Sequence, residues 1–307
     1  MRSIEECRQR LHGIFNITVT PFKSDGAIDF KALAGNIERV IELGYDGILI
    51  GGTYGEFPSM SPDERAALFR QVMAMVGDRV PVMLCSASSD SRVSKDLTKL
   101  AGDLGGLPMV TPPYVSEVTE DQILAFFAEM APLSKTGILV YNAPGIGITL
   151  SVPSIRRLAE LKNVAGLKQG DLTPAVVDAL ANTVPESCKL FCASDLVFPG
   201  AIVAGFHGLS STNSCALPEV ILATYRALKT GNTMRATRLH RLWYEFRALA
   251  RRHGQPQTVK AAMQLRGFDG GRVRSPLIDL GEAAVAEVAE CLKQLARTPD
   301  MGLSPIR

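Results

Sequence analysis

The chain has 307 residues, of which 46% are hydrophobic and 21% charged. That supplies a large core and excludes a disordered or low-complexity chain. Lys and Arg total 33 against 31 Asp and Glu, a net charge of +2, so no basic excess points to nucleic acid or an anionic membrane as partner. No apolar run approaches the roughly 20 residues of a membrane span. The opening MRSIEECRQRLHG carries two glutamates and lacks the apolar centre of a secretory signal. Cys7, Cys85, Cys188, Cys192, Cys215 and Cys291 are scattered, with no C-x-x-C, which favours reduced thiols and a cytoplasmic protein.

Short β-branched runs alternate with segments of helical period. Residues 13–19 read as a first strand, and residues 30–43 as an amphipathic helix with Leu33, Ile37, Val40 and Ile41 on one face and Gly44 at its end. A second strand spans 47–50. Ser61-Pro62-Asp63-Glu64 opens the next helix as a capping box, with proline at the first helical position. Strands follow at 80–84, 107–110, 137–141, 164–168, 189–193 and 208–211. Helices are expected at 92–102, 120–130, 153–161, 174–183 and 197–204.

Eight near-continuous apolar strands, each followed by a helix, suit a parallel sheet covered on both faces. Eight such units in about 230 residues predict a closed (β/α)₈ TIM barrel. The alternative, an open doubly wound sheet, lacks a G-x-G-x-x-G after the first strand. Beyond the eighth strand only helices are expected, at 218–229, 234–252, 258–266 and 281–295. The barrel is therefore assigned to residues 1–230 and a C-terminal helical appendage to 231–307, with the tail from 297 expected to fray.

Barrel enzymes place chemistry at the C-terminal ends of their strands. Strand two runs into Gly51-Gly52-Thr53-Tyr54-Gly55-Glu56, strand five ends in Tyr141-Asn142-Ala143-Pro144, and strand six ends in Lys168. Lys168 follows Val164-Ala165-Gly166-Leu167. Desolvation at the end of a buried strand lowers an amine's pKa and makes it a nucleophile. Such an amine condenses with a 2-oxo acid to a Schiff base, an electron sink for an adjacent carbon–carbon bond. The other reading is a lysine that snorkels to solvent or pairs with Asp171. Tyr141 either buries its ring and bonds its hydroxyl or shuttles protons at the barrel mouth. The glycine-rich turn at 51–55 is either a plain βα connection or a nest of N–H groups for an anion.

Metal chemistry has little support. His12, His207, His240 and His253 are too dispersed for H-x-H or H-E-x-x-H. Cys188 and Cys192 on one strand would lie about 13 Å apart. There is no G-x-S-x-G and no Walker loop, and no basic residue accompanies Gly205 and Gly208 for a phosphate.

Taken together, Gly52-Thr53-Tyr54-Gly55-Glu56, Tyr141-Asn142-Ala143-Pro144 and Gly166-Leu167-Lys168 resemble the dihydrodipicolinate synthase / N-acetylneuraminate lyase family of class I aldolases. The resemblance extends to Thr20-Pro21-Phe22, Asp25-Gly26-Ala27-Ile28-Asp29, Pro112-Pro113-Tyr114, Val259-Lys260 and Arg274-Ser275-Pro276-Leu277. It implies that Lys168 is the Schiff-base lysine and Tyr141 the proton shuttle, relayed through the Thr53 hydroxyl. The amides of Thr53 and Tyr54 would hold the substrate carboxylate. Ser210 would turn its carbonyl to the site, and Asp195 and Thr212 match residues that bind hydroxyls in the sugar-acid lyases. Tyr114 matches a tyrosine that crosses a dimer interface, so a homo-oligomer, dimer or tetramer, is expected. The partner implied is a small 2-oxo acid, with no nucleic acid and no membrane. No metal or organic cofactor is implied.

Two departures shape the expected activity. Synthases of the lysine pathway carry an arginine two residues past the proline of Y-N-x-P, and here Ile146 stands there. A buried substrate carboxylate needs a cationic or multi-donor partner. Tyr54 replaces a small hydroxyl residue. The resulting expectation is a lyase that cleaves or forms a 4-hydroxy-2-oxo acid, such as a 2-keto-3-deoxy sugar acid, with pyruvate and an aldehyde as the other side. The alternatives are a 2-keto-3-deoxy sugar acid dehydratase, a 4-hydroxy-tetrahydrodipicolinate synthase, or a non-catalytic 2-oxo acid binding barrel.

Overall fold

The computed structural model describes residues 1, 3–115, 117–298 and 303. Eight strands, β1 (Gly13–Ile17), β2 (Gly47–Ile50), β3 (Val82–Cys85), β4 (Leu107–Val110), β5 (Ile138–Asn142), β6 (Val164–Gln169), β7 (Lys189–Cys192) and β8 (Gly208–Ser211), pair in sequence order into a closed barrel. The expected (β/α)₈ architecture is present. The pairs from β3 to β8 are parallel. No helix of the described residues is long and apolar enough to cross a membrane.

By packing, the chain divides into two compact units, Met1–Phe15 with Ser61–Ser210, and Asn16–Met60 with Ser211–Arg307. The first holds α1 (Ile4–Arg10), α3 (Pro62–Val76), α4 (Ser91–Asp103), α5 (Glu120–Met130), α6 (Val152–Ala159), α7 (Pro174–Thr183), α8 (Phe198–Val203) and strands β3 to β7. The second holds β2, α2 (Phe30–Glu42), α9 (Pro218–Lys229), α10 (Thr233–Leu242), α11 (Tyr244–His253), α12 (Gln255–Leu265) and α13 (Glu282–Ala296).

Local chemistry starts these helices where the sequence indicates. Ser61 accepts from the Glu64 N–H while the Glu64 carboxylate accepts from the Ser61 N–H, the expected capping box. Thr119 and Gln122 form a second one at the start of α5. Asp29 accepts from the N–H groups of Lys31 and Ala32 at the start of α2.

Inside the first unit, Phe191 meets Phe15 edge-on with ring centroids 5.0 Å apart. Room for that ring requires glycine at 208, where an added Cβ would stand 2.5 Å from both the Gly13 carbonyl and Phe191 Cε1. Volume conflict of this kind forces backbone shifts in a packed core.

Two elements differ from the sequence reading. Helix α1 was not expected: only Ile4 and Cys7 are buried along its seven residues, too short a stripe for periodicity to register. Its Arg8 guanidinium donates to the carbonyls of Lys162 and Val164, tying it to the start of β6. The single helix expected at 234–252 is two helices broken at Trp243. No Gly or Pro marks the break. Helix α10 packs on α9, and α11 on α12 and α13. One straight helix could not bury a face against both, so tertiary packing overrides local propensity. The Trp243 side chain is fully buried at the corner, edge-on to His240. The tail expected to fray lies, from residue 299 on and apart from Leu303, outside the described residues.

Candidate active site

The strand register assembles the centre of the site. Tyr141 on β5 pairs with Lys168 on β6, and Lys168 with Phe191 on β7. Residues that pair across parallel strands project to the same face, so the phenol ring and the amine meet. Lys168 Nζ lies 3.8 Å from the Tyr141 ring centroid. The next residues hold this register from the opposite face. Asn142 Nδ2 donates to Gln169 Oε1 at 3.0 Å, and Asn142 Oδ1 accepts from the Leu150 N–H at 3.0 Å.

The Lys168 side chain does not reach solvent: the residue is 2% exposed. Nor does it pair with Asp171, whose carboxylate instead accepts from the Thr173 N–H. Burial lowers the amine's pKa from 10.5 to about 7, weakly opposed by the thiols of Cys85 and Cys192. The π face beneath the nitrogen also favours the charged form, yet desolvation dominates. A substantial neutral fraction is therefore present near pH 7, as a nucleophilic amine needs. The two thiols are poor nucleophiles in the same surroundings. Cys192 is pushed up to about 12 and Cys85 is also raised, both chiefly by burial.

Other expected residues of the first unit stand at neighbouring strand ends. Ser210, near the end of β8, is fully buried, with its hydroxyl 3.4 Å from the Cys192 carbonyl. Asp195, just past β7, is buried. Tyr114, past β4, is half-buried, and burial raises its pKa while Arg65 lowers it. A Cβ on Gly147 would come 3.0 Å from Tyr114 Cβ, so the loop after β5 passes closely over this tyrosine. Ile146 ends a 3₁₀ turn, Pro144–Ile146, and is half-buried.

In the second unit, Thr53 and Tyr54 open a 3₁₀ turn, Thr53–Gly55, directly after β2. The N–H groups of Gly55 and Glu56 close the turn on Gly52 and Thr53 carbonyls. The opening N–H groups of such a turn point out of its N-terminal end. Thr53 Oγ1 is buried without a hydrogen-bond partner among the described residues, and so is Thr212 Oγ1, just past β8. Each of these hydroxyls keeps a donor and an acceptor site that a bound molecule can use.

Sequence reasoning gave no role to several buried polar residues, each of which belongs to one unit. Thr111 follows Val110, whose β5 partner is Val140, so it lies level with Tyr141. Its hydroxyl is buried and unpaired among the described residues. Arg65 is buried and donates to the carbonyls of Cys85 and Ala87, fixing the end of β3. In the second unit, Glu56 and Lys260, quoted above only as motif positions, form a buried ion pair. A period-two count places Asn142 and Gln169 on the faces opposite Tyr141 and Lys168, but only the strand register pairs them. Nothing local in the sequence signals the long-range partners of Arg65 or Lys260.

The model of the dihydrodipicolinate synthetase family matches residues 10–295. The 4-hydroxy-tetrahydrodipicolinate synthase 2 of Halalkalibacterium halodurans is 31% identical over 270 residues, 86% of this chain and 91% of that protein. The 4-hydroxy-tetrahydrodipicolinate synthase of Moorella thermoacetica is 31% identical over 287 residues, 92% of this chain and 97% of that one. Among solved structures, a dihydrodipicolinate synthase from Bacillus anthracis superposes with a TM-score of 0.87 at 27% identity, covering 92% of this chain and 97% of that chain.

Proposed function

The chain belongs to the dihydrodipicolinate synthetase family, and from that premise we propose that it is a Schiff-base lyase that cleaves, or forms, a 4-hydroxy-2-oxo acid. The observation that carries the reading is the Lys168 amine: dry, with its pKa lowered to about 7, and 3.8 Å from the Tyr141 ring.

The chemistry follows from that amine. Neutral Lys168 Nζ adds to C2 of the 2-oxo acid, and protonation of the resulting carbinolamine hydroxyl lets it leave as water, giving a cationic imine. Removal of the proton from the 4-hydroxyl breaks C3–C4. The bonding pair flows into the imine to give an enamine, and the aldehyde departs. Protonation at C3 and hydrolysis then release pyruvate and restore the amine. Tyr141 is assigned the proton transfers, the role for which a phenol beside the reacting nitrogen is suited. Thr53 and Tyr54, by their place in the family motif, receive the carboxylate, and the unpaired Thr53 hydroxyl serves the proton relay. The Ser210 carbonyl faces the site, and Asp195 and Thr212 bind the hydroxyls of the aldehyde half, by their match to the family's sugar-acid lyases. The protein works in the cytoplasm as a homo-oligomer to which Tyr114 contributes across an interface.

A second reading has its own support. The relatives named above are 4-hydroxy-tetrahydrodipicolinate synthases, and the same enamine could add to an aldehyde that carries a carboxylate. Against it stands Ile146, which offers that second carboxylate no charge and no donor.

Pyruvate with borohydride tests the shared step: a reduced adduct on Lys168, absent from Lys168→Ala, is expected. No adduct with any 2-oxo acid would sink the lyase reading. A panel of 2-keto-3-deoxy acids, against pyruvate plus aspartate semialdehyde, then separates the two readings. Efficient turnover of the semialdehyde would overturn the inference drawn from Ile146.

A further inference from the structure

Directly behind the Thr53–Gly55 turn lies an ion pair the proposed chemistry does not use. Lys260 Nζ stands 2.5 Å from Glu56 Oε1, with the side chains 2% and 1% exposed. All three ammonium donors and both carboxylate oxygens are engaged. The ammonium donates to the carbonyls of Thr20 and Arg272 as well as to Glu56. The other carboxylate oxygen, Glu56 Oε2, accepts from the Arg274 N–H at 2.9 Å. Burying two charges is costly, and an apolar pair of similar volume often stabilises a fold at least as well. Stability alone is therefore a weak reason for these residue types here.

What the pair does hold is backbone. Glu56 is the one described non-glycine residue with positive φ, 61°, a conformation that persists only when its surroundings over-determine it. Three segments distant in sequence converge on the turn. Thr20 Oγ1 donates to the Gly55 carbonyl at 2.7 Å. Lys260, from α12, donates to Glu56 Oε1 at 2.5 Å. Arg274 donates from its own N–H to Glu56 and from its guanidinium to the Ser59 and Gly26 carbonyls. The 271–272 backbone runs so close to Pro21 and Phe22 that a Cβ on Gly271 would sit 2.6 Å from Phe22 N.

We propose that Glu56 and Lys260 are positioning residues for substrate binding, locking the left-handed residue that ends the turn and so fixing the direction of the Thr53 and Tyr54 N–H groups. The inference rests on the reading that this turn receives the 2-oxo acid's carboxylate. Because the pair is neutral as a whole, its contribution is geometric and not a long-range attraction. The C-terminal helices thereby serve binding without supplying a group that touches substrate.

The test measures the pyruvate concentration that half-saturates borohydride trapping, with melting temperature alongside, in wild type, Glu56→Gln and the double variant Glu56→Gln/Lys260→Met. Glu56→Gln is expected to raise half-saturation about tenfold, the scale of one charge-assisted hydrogen bond. The trapping rate at saturating pyruvate should fall by a smaller factor than half-saturation rises, because Lys168 is untouched and only the Thr53 end of the relay moves with the turn. The double variant, with no unpaired buried charge, should regain most of the lost melting temperature but not the half-saturation value. A Glu56→Gln protein with unchanged half-saturation, or a double variant in which both quantities recover together, would overturn the proposal. If Glu56→Gln does not fold, Thr20→Val removes the bond to Gly55 from the other side. It should raise half-saturation about threefold, and an unchanged value counts equally against the proposal. Absence of any adduct in wild type strikes the lyase reading itself, and this inference with it.

Discussion

Replacing Lys168 by methionine should make the protein more stable and catalytically dead. Methionine approximates the lysine stem in volume and flexibility, so the change chiefly removes the amine's desolvation. The folded amine has a pKa of about 7 against 10.5 for an ordinary lysine. Between those values the unfolded chain binds more protons than the folded one, so stability falls as pH is lowered. At about 1.4 kcal/mol per pKa unit, wild type is held back by about 2 kcal/mol at pH 9 and about 4 kcal/mol at pH 7. The penalty levels off below pH 7, where both states are protonated, and vanishes above 10.5. Urea denaturation of wild type and Lys168→Met at pH 7 and pH 9 reads these differences directly. A gap of at least 2 kcal/mol at pH 7, roughly halved at pH 9, is expected. If the variant is no more stable, or the gap does not change with pH, the amine is not desolvated and the argument for its nucleophilicity fails.

The same pKa sets the pH dependence of chemistry. Single-turnover trapping with pyruvate should rise from pH 5 and reach half its limiting rate near pH 7; a midpoint near 10 would show an ordinary lysine. Tyr141→Phe keeps the ring beneath the amine and loses the proton donor, so it should retain the borohydride adduct while turnover falls on the order of 10² to 10³-fold; unchanged turnover would remove the role assigned to the phenol. Gly208→Ala places a methyl against the Gly13 carbonyl and the Phe191 ring and should cost about 1–3 kcal/mol, measured as a lowered melting temperature. An unchanged melting temperature would mean that the barrel interior yields more easily than its packing indicates.

Much of this protein is written locally. The eight strands were legible because buried parallel strands need continuous apolar runs, and the helix starts because caps are short-range chemistry, as Ser61 and Glu64 show. Lys168 and Tyr141 stood out as polar residues closing apolar strands, and the family motifs tied them together. Three features were not local. The break at Trp243 has no breaker residue and arises because two helix faces must each find a partner. The amine's low pKa depends on burial that only the folded chain provides, since an isolated strand would leave it hydrated. The clamp on Glu56 joins residues 204 positions apart, and sequence spacing carries no signal for a contact that exists only once the chain has closed on itself. Residue order thus determined which groups were available, and the tertiary structure decided which of them lost their water and which acquired a fixed direction.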